Sequence, residues 1–257
     1  MKPIVDVARR RLLRRGAGAA ALLLAGCDRL SRTEWFPQVL ATGEVLSNAV
    51  QHLVTPRRAM AQEFTEADLS PQFRSNGTAD PRNPAYAALA AKGFTDYRLE
   101  IGGLVDRPLK LSLTDLRAQP SRTQITRHDC VEGWSAIGKW KGARLAALLD
   151  AAGAKASARY VMFYCADPME DDGTGLYYES IDMDDEYHPQ TIMAYELNDK
   201  ALPVANGAPL RLRVERQLGY KHAKYVMRME LVESFAKIAA GKGGYWEDQG
   251  YEWYAGI

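Results

Sequence analysis

The chain has 257 residues, 47% of them apolar and 25% charged, with a formal net charge of +1. That is enough chain for one sizeable core or two small ones. The near-neutral balance argues against nucleic acid or an anionic membrane surface as the main partner. Three cysteines are too few for a disulfide-stapled scaffold.

Residues 1–27 read as a targeting segment and not as fold. A basic run, Arg9-Arg10-Arg11-Leu12-Leu13-Arg14, precedes an apolar stretch that ends at Cys27. A basic region, a short apolar region and small residues near the cut make a secretory signal. The apolar stretch falls short of the roughly 20 residues that span a bilayer. The arginine pair resembles a twin-arginine export signal, a route that carries folded proteins. Leu23-Leu24-Ala25-Gly26-Cys27 also resembles a lipobox, which would make Cys27 the acylated N-terminus of a periplasmic lipoprotein. Residues 28–68 read as a tether, with a short helix expected over 43–54.

Residues 69–78 form a loop by their Pro, Ser, Asn and Gly content. A helix is expected over 84–91 and a strand over 97–101. A second strand is expected over 109–113, then a short helix over 115–119 capped by Thr114 and stopped by Pro120.

Residues 124–149 are the most informative stretch. A strand-like alternation around Ile125 ends in Arg127, His128, Asp129 and Cys130, with Trp134 and Trp140 following. Cys130 sits where a strand gives way to a loop, so its side chain can face a cleft. Positive neighbours favour the thiolate, the metal-binding and nucleophilic form. A buried free cysteine is the opposing reading, and both stay open on charge pattern alone. A helix follows from near Ala143, with Leu145, Leu148 and Leu149 on one face and Gly153 past its end.

Strands are expected over 159–165, 176–183, 192–197 and 225–232. Cys165 closes the first of them as a core cysteine. In an oxidising compartment a Cys130–Cys165 disulfide would compete with any metal at Cys130. The acidic loop after Asp167 lacks the EF-hand spacing. A zinc site from Cys130, His128, Cys165 and His188 has no supporting spacing either. Arg211 and Arg213 stand two apart on a strand and so point to one face. Gly219 permits a bend before Lys221, His222 and Lys224. Such a cluster fits a phosphate or, alternatively, a solvated basic face balanced by Glu215. The tail from Gly243 is aromatic and reads as a packing strap.

Cys130, Trp134 and the run Trp140-Lys141-Gly142-Ala143-Arg144-Leu145 resemble the molybdenum-binding segment of the sulfite oxidase superfamily. The resemblance extends from about Pro71 to the C-terminus. It implies an α+β fold of mixed β-sheets with short helices, in a single catalytic domain over 69–257. It also implies a molybdenum–molybdopterin cofactor with Cys130 as the protein thiolate on the metal. The family's Asn/His-Gly-x-Pro-x-Arg and Gly-x-Lys-x-x-Lys segments match Asn206, Arg211, Lys221, His222 and Lys224, with backbone help from His222 and Ala223. Asn76 matches a pterin contact, whereas Ser75 and Gly77 depart from the family's arginine and histidine. Cys165 aligns with a pterin neighbour. Tyr251 aligns with a tyrosine beside the metal, and Trp140 with an aromatic of the substrate pocket.

The implied activity is oxygen-atom transfer, sulfite-oxidase-like or sulfoxide-reductase-like, on a small-molecule donor or acceptor. No CxxCH haem-attachment motif is present. Electrons would therefore pass to or from a separate protein, a membrane cytochrome b or a soluble cytochrome c. The competing reading is a lipid-anchored binding protein for an anionic ligand, without redox chemistry.

Overall fold

The computed structural model of the chain describes residues 59–257 except 171, together with scattered positions between 33 and 56. The export segment and most of the tether lie outside the described residues. Within 43–54, Gly43, Leu46 and Val50 are helical. Among the described residues the strands are β1 (Leu99–Gly103), β2 (Leu109–Leu111), β3 (Ser121–Cys130), β4 (Trp134–Arg144), β5 (Tyr160–Pro168), β6 (Leu176–Asp182), β7 (Ile192–Leu197), β8 (Lys200–Ala201), β9 (Arg211–Arg213) and β10 (Val226–Val232). The short helices are α1 (Pro84–Ala91), α2 (Leu113–Ala118), α3 (Leu145–Ala152), α4 (Met183–Glu186) and α5 (Tyr245–Asp248). The fold is α+β, as expected.

One sheet runs β2-β1-β10-β5-β6 and is mixed, since β1 pairs β10 in parallel while its other neighbours are antiparallel. The other runs β3-β4-β7-β8, with β9 added to β7. The main core is built from Leu99 and Ile101, Val161 and Phe163, Met229 and Leu231, and the face of α3 that carries Leu145, Leu148 and Leu149. A smaller cluster surrounds Trp140, with Ile192, Ala194, Leu197 and Leu202 and with Phe73 packed against it.

Local signals explain most of these elements. Asn83 accepts from the backbone N–H groups of Ala85 and Tyr86, and Pro84 opens α1 where a missing N–H is harmless. Gly153 ends α3 in the left-handed conformation, φ 70°. Three boundaries differ from expectation. Ser112, not Thr114, caps α2, in a capping box with Asp115. Helix α3 begins at Leu145, because Ala143 and Arg144 still pair with β7. The segment before Leu69, read as tether, is packed: Phe64 N–H donates to Ile125 O at 2.8 Å and Glu63 bridges Thr126. The compact unit accordingly runs Arg57–Ile257.

Strands β3 and β4 form the hairpin that carries the candidate site. Their register ends at Cys130 opposite Trp134. The three-residue turn between them closes with Gly133 at φ 84°, the left-handed position such hairpins require. Gln124, Thr126, His128 and Cys130 alternate onto the buried face.

Candidate active site

Cys130 is the last residue of β3 and only 8% exposed. It lines a cleft with Asn76, Glu132, Asp167, Tyr177, His222, Lys224, Trp246 and Tyr251 among its walls. Five distant pieces of chain meet there: the loop at Asn76, the β3–β4 turn, the β5–β6 hairpin, the β9–β10 connection and the C-terminal strap. Asn76, Cys130, His222, Lys224 and Tyr251, singled out from sequence, are thus brought to one cleft.

The thiolate argument made from sequence neighbours does not hold in the fold. Arg127 alternates to the outer face and pairs with Asp129 at 2.9 Å. His128 shares the buried face but is held neutral: burial pushes its pKa well down, helped by Arg211, His222 and Arg213. Burial likewise pushes the Cys130 thiol up, opposed by a backbone hydrogen bond at Glu132. In this state Cys130 is a thiol facing a cleft. A metal that takes up the sulfur must displace its proton. Both Cys130 and Cys165 are free, so the disulfide reading fails.

The basic residues divide into two groups. Arg211 and Lys224 are buried, and neither has a carboxylate at ion-pair distance among the described residues. Arg211 Nη2 donates to Asn76 Oδ1 at 3.0 Å and Nη1 to Asn206 O at 3.3 Å, while Nε has no partner. Lys224 Nζ donates to the carbonyls of Asn76 (2.7 Å), Ala205 (3.2 Å) and Thr78. Burial lowers the Arg211 pKa to about 9, with Arg213 adding repulsion. The Lys224 pKa falls for the same two reasons, with Arg211 the repelling charge. Arg213, in contrast, is fully paired. It meets Glu215 at 2.5 and 2.9 Å and donates to His128 Nδ1 at 3.0 Å, its guanidinium 4.5 Å above the Trp140 ring. Glu215 therefore does balance an arginine, but in the interior and not on a solvated face.

The proton inventory around this group is uneven. Arginine can only donate, so His128 Nδ1 accepts and its N–H is at Nε2. That Nε2 is buried with no partner, as is Asn206 Nδ2. His222 Nε2 donates to Gln217 O at 3.0 Å, leaving its Nδ1 unpartnered. Unmet buried donors and two uncompensated cations make a site that an anionic group would complete.

Other sequence-based candidates lie away from the cleft wall. Lys221 Nζ sits between Glu179 Oε1 (2.5 Å) and Glu247 Oε1 (2.6 Å) and faces no opening. Trp140 is wholly buried between Phe73 and the two arginines. Cys165 lies in the main core, and Ala223 is buried, its carbonyl accepting from Leu212 N–H at 2.8 Å. Among the described residues no group of three or more His, Cys, Asp or Glu could hold a metal ion. His188, named for the zinc reading, is instead bonded to Ala59 O at 3.0 Å.

Sequence reasoning missed Arg74, which stacks over Trp134 at 5.5 Å and whose charge reaches Cys130 and Glu132. It stands one residue before the Ser75 that replaces the family's arginine, and that neighbouring position was the available signal. Asp167, Tyr177 and Trp246 were also missed. Only the fold brings these separate segments to the cleft.

The model of the oxidoreductase molybdopterin binding domain matches residues 87–237. The chain is 36% identical over 97% of its length, and 88% of the relative's, to a putative protein-methionine-sulfoxide reductase subunit YedZ1 of Azospira oryzae. It is 32% identical over 90% of its length, and 72% of the relative's, to the protein-methionine-sulfoxide reductase catalytic subunit MsrP of Xanthomonas axonopodis pv. citri. Among solved structures, the sulfane dehydrogenase SoxCD from Paracoccus pantotrophus is 25% identical with a TM-score of 0.49, covering 55% of this chain and 39% of that one. The chain therefore belongs to the family of molybdopterin-binding oxidoreductase domains and is a molybdopterin-dependent oxidoreductase.

Proposed function

We propose that this oxidoreductase removes the oxygen atom of a neutral sulfoxide, as the names of its relatives suggest for them. The observation that carries the reading is the pairing of a cleft-facing Cys130 with two buried cations that lack carboxylate partners. A molybdenum–molybdopterin cofactor fits this donor set: a soft thiolate for the metal and Arg211, Lys224, Asn206, Asn76 and His222 for pterin and phosphate. When bound, the cofactor supplies two-electron oxygen-atom transfer.

The chain's own residues orient the substrate. Tyr251 stacks on Trp246 (centroids 5.3 Å, 28°) and meets the edge of Tyr220 at 5.3 Å. These rings offer an apolar wall for a thioether-like side chain. Glu132 lines the same cleft, its carboxylate held low by Trp134 Nε1–H and by Gly77 N–H. An anion such as sulfite would meet that charge, whereas a sulfoxide would not. Residues 1–27 act as a twin-arginine export segment in this reading, placing the enzyme in the periplasm, with Cys27 as lipid attachment. Relatives named as subunits support a separate electron-donating protein, a cytochrome in the membrane or in solution. Residues from Leu69 onward, with the packed segment before them, form the catalytic domain.

The test is purification from a molybdenum-replete host. The wild type should carry about one molybdenum per chain, and Cys130→Ser should carry none. With an artificial reductant, methionine sulfoxide should be reduced, and sulfite oxidation should be negligible. A metal-free wild type, or a sulfite oxidase without sulfoxide turnover, overturns the reading.

A further inference from the structure

Behind the Tyr177 wall of the cleft lies a charge cluster in which Lys221, matched by sequence to a phosphate grip, is instead held by two glutamates. Glu179, Glu247 and Lys221 are all buried, and the one ammonium meets both carboxyl groups, at 2.5 and 2.6 Å. The two carboxyl groups are also within hydrogen-bond reach of each other. Trp253 covers Lys221 at 5.2 Å. With both carboxyls ionised, a sealed cluster would hold one unbalanced negative charge. One proton shared between them removes it.

The hydrogen-bond geometry places that proton. Tyr177 has a single hydroxyl hydrogen, and its oxygen lies 2.5 Å from Tyr220 O, which can only accept. At rest the hydrogen lies there and leaves that bond only on delivery. The same oxygen is 3.2 Å from Glu179 Oε2, so with the tyrosine hydrogen turned to Tyr220 it can accept a hydrogen from the glutamate. Glu179 Oε1 already accepts from Lys221 and from Ser180 N–H at 2.8 Å, so of the two Glu179 oxygens Oε2 is the one that carries the hydrogen toward Tyr177.

We infer that Glu179 and Glu247 share one proton beside the cleft and that Tyr177 hands it to the reacting oxygen. This rests on the sulfoxide-reducing reading. Sulfoxide, two electrons from the partner protein and two protons give sulfide and water. One of those protons leaves Glu179 Oε2 for the Tyr177 oxygen while the Tyr177 hydrogen moves into the cleft, and solvent refills the pair afterwards. Tyr177 is the group at the cleft, and Glu179 and Glu247 act through it. Facing the pair are Lys221, Tyr177, Tyr220 and Tyr178, the last bonded to Asp248, while Asp167 and the uncharged Cys165 flank Tyr177. Burial, the largest influence, raises the Glu179 pKa well above its ordinary value, against the pull of Lys221.

Infrared difference spectra of wild type minus Glu179→Gln, and wild type minus Glu247→Gln, test the shared proton at neutral pH without turnover. Loss of a protonated-carboxyl band in either difference supports it. Loss of ionised-carboxylate bands alone in both overturns it. Delivery is tested by single-turnover oxidation of pre-reduced holoenzyme by methionine sulfoxide. Tyr177→Phe should slow it about 100-fold or more, with the sulfoxide concentration for half-maximal rate unchanged. Glu179→Gln should remove the fall in rate at alkaline pH, where the wild-type Glu179 loses its proton. If Asp167→Asn abolishes that limb while Tyr177→Phe leaves the rate intact, delivery through Tyr177 is wrong. A wild type that reduces no sulfoxide sinks the functional reading and delivery together, while the infrared result still decides the shared proton.

Discussion

Removing the Glu215 carboxylate tests whether the buried Arg213 charge beneath the site depends on that one partner. Arg213 and Glu215 side chains are both 0% exposed. The guanidinium spends Nε and Nη2 on the carboxylate, at 2.9 and 2.5 Å, and Gln124 Nε2 donates to the same group at 2.8 Å. Glu215→Ala leaves an arginine sealed in the interior with only His128, Thr126 and the Trp140 face for company. Breaking a buried pair from one side costs about 3–5 kcal/mol. At about 2–4 °C per kcal/mol for a domain of this size, Tm should fall by roughly 6–20 °C. Glu66→Ala is the control, since Glu66 is 60% exposed in its pair with Lys139; it should cost under about 1 kcal/mol. Thermal unfolding of both variants, followed by circular dichroism, decides the matter. A Glu215→Ala loss no larger than the control would refute the claim that this charge depends on its buried partner.

Gly219→Ala should destabilise by about 1–3 kcal/mol through overpacking, because a Cβ there would lie 2.6 Å from Cε1 and Nε2 of His128; unchanged thermal unfolding would show that the loop can yield. Glu186 has neither carboxyl oxygen hydrogen-bonded to a partner in its buried position, and burial raises its pKa well above the ordinary 4.5. The folded state therefore keeps a proton that the unfolded chain releases, so wild-type stability falls as pH rises above the unfolded value. Glu186→Gln, which does not titrate, should melt higher than wild type at pH 7 and lose that advantage near pH 4; a lower Tm at pH 7 contradicts the reasoning.

Elements with local signals were legible from residues alone. Helix α1 was read with its observed bounds, because Asn83 and Pro84 act within one turn of it. Strand β7 was read as Ile192–Leu197 from its apolar run. Strand β4 was not read, because Gly138 and Gly142 interrupt its pattern. Their reason is tertiary: a Cβ at Gly138 would meet the Phe73 ring at 2.8 Å, and one at Gly142 would strike the Met193 backbone. A glycine in a strand signals close approach, but what approaches cannot be read from the strand itself.

The same division holds at the site. Sequence alone determined the family, through a cysteine, a tryptophan–lysine–glycine run and a spaced set of basic residues, because a soft metal ligand and phosphate grips demand those side chains. It could not tell which cation lacks a carboxylate partner. Arg211 and Lys224 were left without carboxylates, whereas Arg213 and Lys221 were neutralised by Glu215, Glu179 and Glu247. Only two residues separate Lys221 from Lys224, yet they end in opposite electrostatic situations. Desolvation and partner distance set the worth of a charge, and both exist only once the β9–β10 connection is packed against β6 and the C-terminal strap.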